Sequence, residues 1–175
     1  MKDFKTFVNE NLLVPRNLEG RKDKLKQLNI RLLSQEVIDG NLYLDESFMD
    51  IDPKFVKLKK VNGYVWLTGG KWTEIPAWLK DVEIERDFNC SANKLKTLKN
   101  CPRHIGVSLL CFSNRLISLK GCPKEIRGLF NCEYNQLISL EGCPEIIGAN
   151  YYCGHNKVKL ELPENVKLKG KFINK

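Results

Sequence analysis

Histidine is nearly missing from this chain: His104 and His155 are the two in 175 residues, and they occupy different parts of the pattern described below. No paired carboxylates, nucleophile elbow, phosphate-cradling glycine loop or metal-spaced histidine cluster appears. Neither an enzyme nor a metal or other cofactor is therefore expected. No run of about 18 apolar residues is present to span a membrane. The segment Met1 to Asn9 lacks the apolar stretch and small-residue cleavage site of a secretory leader. A cytoplasmic setting follows as the expectation. Seven cysteines suggest a disulfide scaffold at first, yet the number is odd and no Cys-x-x-Cys pair occurs. Small, buried, reduced thiols are the simpler reading.

Acidic charge is in deficit, with 21 Asp and Glu against 29 Lys and Arg, for a net charge of +8. Such an excess raises nucleic acid or an acidic protein as partner. The lysines are spread along the chain, however, as a solvated surface requires. Asp45, Glu46, Asp50 and Asp52 form an acidic knot that reads as a solvated turn.

What the chain has in abundance is repetition. Cys90, Cys111, Cys132 and Cys153 recur every 21 residues. Asn93, Asn114, Asn135 and Asn156 keep the same register, as do Leu95, Leu116, Leu137 and Val158. So do Leu98, Leu119 and Leu140, followed by Cys101-Pro102, Cys122-Pro123 and Cys143-Pro144, then Ile105, Ile126 and Ile147. A fixed short period means a stacked coil in which each turn buries its apolar face against its neighbours. Two-residue alternation through Phe130-Asn131-Cys132 turns the first and third side chains inward and the middle one outward. The asparagine column is expected to satisfy backbone groups where the chain turns away from a strand.

The consensus C-x-x-N-x-L-x-x-L-x-x-C-P-x-x-I resembles the leucine-rich repeat of the short bacterial type, over roughly residues 40 to 175. The resemblance implies an α/β solenoid with a parallel β-sheet on one face and a largely irregular or short-turn convex side. The wording Ser-Leu-Glu-Gly-Cys-Pro at 139–144 is similar to repeat proteins of large tailed bacteriophages. That similarity implies a partner from a bacterial host, met in the host cytoplasm.

Before the repeats, Phe4, Phe7, Val8 and Leu12 follow helical spacing up to Pro15, and Leu25, Leu28 and Leu32 do so again. Residues 1–38 are predicted to form a helical cap and residues 39–175 the solenoid. The early coils are longer: Leu44, Leu67 and Cys90 stand 23 apart, and Trp72, Ile75 and Trp78 occupy the places of Leu95, Leu98 and Cys101. The closing unit holds the theme at shorter spacing through Val158, Leu160 and Val166, with Gly170 to Ile173 as the last edge strand.

The informative residues are those that the repeat does not dictate. On the strand face these are Tyr64, Trp66, Asn89, Leu110, Phe112, Leu129, Asn131, Tyr134, Tyr152 and His155. Several are aromatic or apolar at outward positions, where a core has no need of them. The first expectation is a non-enzymatic protein-protein interaction module that binds and inhibits a host or defence protein. The alternatives are a nucleic-acid binder, with Lys94, Lys96, Arg115, Lys124 and Arg127 following the backbone, and a structural homo-oligomer.

Overall fold

A computed structural model describes residues 18–175. Each coil contributes two short strands separated by a bend. They are β1 (Val37–Ile38) and β2 (Leu42–Leu44), β3 (Lys60–Val61) and β4 (Val65–Leu67), β5 (Glu83–Ile84) and β6 (Phe88–Asn89), and β7 (His104–Ile105) and β8 (Leu109–Leu110). Then follow β9 (Glu125–Ile126) and β10 (Phe130–Asn131), β11 (Ile146–Ile147) and β12 (Tyr151–Tyr152), and β13 (Lys167–Leu168) and β14 (Phe172–Ile173). The even-numbered strands form one parallel seven-stranded sheet. The odd-numbered strands form a four-stranded and a three-stranded parallel sheet on an adjoining side. The molecule is a parallel-sheet solenoid.

The register follows the repeat. Leu42 pairs with Val65 and Val65 with Phe88, 23 residues apart. From Phe88 through Leu109, Phe130 and Tyr151 to Phe172 the interval is 21. The closing coil therefore keeps the full period, which corrects the expectation of shorter spacing. Buried Leu160 falls one residue early and Leu162-Pro163 two, and the segment before β13 absorbs the difference. Val158 stands in the buried leucine column but is 46% exposed.

A single sheet on one face was also an undercount. The Ile column (Ile84, Ile105, Ile126, Ile147) buries its side chains like a strand, and β-branched residues suit that extended backbone. A third side has a backbone ladder of its own, without assigned strands. The amides of Lys94, Arg115, Gln136 and Lys157 donate to the carbonyls of Trp72, Leu95, Leu116 and Leu137 at 2.9, 2.9, 2.9 and 3.2 Å.

At the corner between the seven-stranded sheet and the third side the asparagines act as the sequence suggests. Asn114 Nδ2 donates to the carbonyls of Cys90, Cys111 and Phe112 at 2.9, 3.2 and 3.3 Å, and its Oδ1 accepts from Leu95 N at 3.0 Å. Asn93, Asn135 and Asn156 repeat the arrangement. One coil earlier the equivalent position is Gly70, which has no side chain to offer. The Trp72 indole takes over, its Nε1 donating to the carbonyls of Leu44 and Thr68 at 3.1 and 3.0 Å. These are the counterparts, 23 residues back, of two of the carbonyls that Asn93 holds.

Helix α1 (Leu18–Leu33) lies at the first coil. Leu33 is fully buried, while Leu25, Leu28 and Leu32 are half-buried. Asn29 Nδ2 donates to Ser47 Oγ at 2.8 Å and Lys57 N to the Leu33 carbonyl at 2.8 Å, which fastens the helix end to the coil. The helix read at Phe4 to Leu12 falls outside the described residues. In the acidic knot, Asp45 and Asp52 each accept from the backbone N–H two residues on, capping one short helical turn apiece. Among the described residues no helix is long and apolar enough to cross a membrane.

Candidate interaction face

The seven-stranded sheet presents one outward residue per strand: Tyr43, Trp66, Asn89, Leu110, Asn131, Tyr152 and Ile173. Tyr64 and Leu129 belong to the column just before the strand, Phe112 to the column just after it, and Tyr134 and His155 to the corner beyond. All ten predicted residues thus reach one continuous face, but they do not form one cluster. Trp66, Tyr134 and His155 are exposed, and the other seven are half-buried.

Two aromatic groups stand apart on this face. Near α1, the Tyr43 and Tyr64 hydroxyls share a hydrogen bond of 2.7 Å. The Trp66 ring lies 5.6 and 5.5 Å from the rings of Tyr43 and Tyr64. Each ring is held by the other two, so the platform loses little side-chain freedom when covered. At the far corner, Tyr134 and His155 stack at 4.2 Å with planes 9° apart. Three strand spacings separate the two groups along the stack, roughly 14 Å.

Several polar residues between them are occupied with structure. Asn89 Oδ1 accepts from Ser91 N, and Asn131 Oδ1 from Glu133 N, both at 3.0 Å, bending the chain toward the corner. Asp87 Oδ1 accepts Ser108 N at 2.9 Å, so this acid on the face is a rung between coils. Tyr152 Oη accepts from Asn150 Nδ2 at 3.0 Å.

The corner carries backbone strain that no glycine announces. Ala92, Ser113, Tyr134 and His155 have φ of 52°, 52°, 53° and 54°, a region costly to residues with a Cβ. The asparagine that follows each one turns its amide into the core, which locks the bend. This conformation brings Tyr134 and His155 face to face.

Cys90, Cys101, Cys111, Cys132 and Cys153 are buried as expected, while Cys122 and Cys143 are half-buried. Burial pushes Cys90 and Cys153 up to about 12 and lifts Cys101, Cys111, Cys122 and Cys132 well above the usual 9.0, with neighbouring thiols adding to the effect. The two columns therefore feel each other across one core, although the repeat places them on different sides of the coil. A thiol that keeps its proton is a poor nucleophile and a poor metal ligand. Among the described residues no three His, Cys, Asp or Glu side chains gather closely enough to hold a metal ion.

Ile117 and Ile138 lie outside the residues expected from the sequence. They are 58% and 67% exposed, more than any other large hydrophobic residue described, and they lie on the third side. The signal was present: Asn114, Arg115, Leu116 and Ile117 alternate inward and outward as a strand does, which places Ile117 beside Arg115 in water. Comparison with known proteins returns no matching family model, no matching curated protein and no matching solved structure.

Proposed function

We propose that this protein is a non-enzymatic binding module that grips another protein through the seven-stranded face. In this reading the coils are of the leucine-rich-repeat type, and α1 caps the first of them, shielding a core that Leu33 helps to close. The observation that carries the proposal is the aromatic platform of Tyr43, Tyr64 and Trp66. These rings are fixed against one another on the strand face, with Trp66 38% exposed, and tryptophan and tyrosine are the residues that most often anchor protein interfaces. The wording of residues 139–144 supports a bacterial host protein as the partner, with inhibition of that protein as the outcome.

The test is affinity capture from bacterial lysate by the parent and by a Trp66→Ala/Tyr134→Ala variant. One specific protein should be captured by the parent and lost from the variant, while the variant still unfolds cooperatively, a few degrees below the parent because it gives up ring contacts with Tyr43, Tyr64 and His155. Equal capture by both would remove the strand face as the platform.

A further inference from the structure

Ion pairs on this surface mostly join one coil to the next. Glu36–Lys59, Glu46–Lys71, Asp81–Arg103, Lys120–Glu141 and Lys124–Glu145 all do so, as opposite charges stacked about 4.8 Å apart should. Past Lys71, which is paired with Glu46, the third side breaks the rule. Its outward positions on the next four coils are Lys94 and Lys96, Arg115 and Ile117, Gln136 and Ile138, Lys157 and Lys159. No carboxylate stands at any of them. None of the five cations forms an ion pair with a described residue. Between the two charged ends, Ile117 and Ile138 sit on adjacent coils, both more than half exposed. Left in water, the arrangement is unfavourable twice over, through bare apolar surface and through like charges in neighbouring rungs. An occupant with apolar groups at its centre and carboxylates around them would relieve both.

The geometry points to the third side as a docking site for an acidic protein segment that carries adjacent apolar side chains. Those side chains cover Ile117 and Ile138. Carboxylates at one end meet Lys94, Lys96 and Arg115, and at the other end Lys157 and Lys159. The patch spans four coils and two outward positions, roughly 14 by 7 Å, which fits a short segment better than a folded domain. A second copy of this chain is a poor occupant, because face-to-face pairing opposes five cations with five. Nucleic acid is poor as well: the centre offers aliphatic groups with no ring to stack a base, and the Tyr134 and His155 rings at the neighbouring corner already cover each other.

The probe is a fluorescein-labelled peptide with two leucines between runs of aspartate, titrated with the full chain by anisotropy at low and moderate salt. Binding should weaken as salt rises. It should fall about tenfold or more in an Ile117→Ser/Ile138→Ser variant, and again in an Arg115→Glu/Lys157→Glu variant. The melting temperatures should hold in both, since all four side chains are exposed. A Trp66→Ala variant should bind the peptide as the parent does, which separates this site from the strand-face platform. The proposal is overturned by no binding at low salt, by binding to either double variant that equals the parent's, or by equal affinity for a peptide lacking the leucines. Tighter binding of an oligothymidine strand or of phosphatidylserine vesicles than of the peptide also overturns it.

Discussion

At Asn135, one carboxamide donates to the carbonyls of Cys111, Cys132 and Glu133 and accepts from Leu116 N at 2.9 Å, all within the stack. Asn156 makes the same set in the last coil, where it is half-buried instead of buried. The chemistry is matched and the access to water differs. Replacing Asn135 by leucine leaves Leu116 N without an acceptor and takes one donor from each of three carbonyls, which keep Asn114 Nδ2, Asn156 Nδ2 and Ser113 N, at a cost of about 2–3 kcal/mol, since an unsatisfied buried group forfeits about 1–3 kcal/mol. Asn156→Leu should cost only about 1 kcal/mol, because water can replace the amide there. Urea unfolding of the two variants measures the difference. Equal losses would mean that the asparagines act by filling space, not by satisfying the backbone.

The unit that repeats is a strand, a bend, a second strand and a corner, and its legibility in the sequence was uneven. Inward columns could be read because burial admits few residue types: leucine, cysteine and isoleucine recur where the core demands them. The second sheet was hidden because its strands are two residues long, with a variable outward residue before each isoleucine. The strained corner was hidden too, since Ala92, Ser113, Tyr134 and His155 occupy a conformation that sequence reading associates with glycine. Elsewhere glycine is required by space: a Cβ on Gly148 would lie 1.9 Å from the Arg127 carbonyl oxygen. The candidate face was legible as alternation, but which of its residues stand free was not, because engagement by a neighbouring coil leaves no local trace. Within this unit Leu119 is fully buried between Leu98 and Leu140 of the adjoining coils. Leu119→Ala should cost about 2–5 kcal/mol, read as a fall in the urea midpoint. A variant that unfolds with the parent would show that the coils are not packed as rows.

Across the whole molecule the thiol columns make stability depend on alkaline pH. In the unfolded chain each thiol titrates near the usual 9.0, whereas in the stack burial holds Cys90 up to about 12 and raises Cys101, Cys111, Cys122 and Cys132 in the same direction. Well below pH 9 both states are protonated there, and the thiols confer no pH dependence. Above it the unfolded chain releases protons that the folded chain keeps, so the unfolded state binds fewer protons and the free energy of unfolding falls as pH rises. Each sealed thiol contributes a slope approaching about 1.4 kcal/mol per pH unit once well past its unfolded value. Tyr151 shifts upward as well, from 10.0 and again by burial, but its effect enters only at higher pH. Urea midpoints measured under a reductant at pH 8, 9 and 10 should therefore fall modestly over the first step and about three times as much over the second. Cys111→Ala should start from a lower midpoint yet lose less stability between pH 9 and 10, because one titrating group is gone. A parent midpoint unchanged from pH 8 to 10 would mean that the thiols ionise alike in both states, and with that the coils could not be stacked into a closed core.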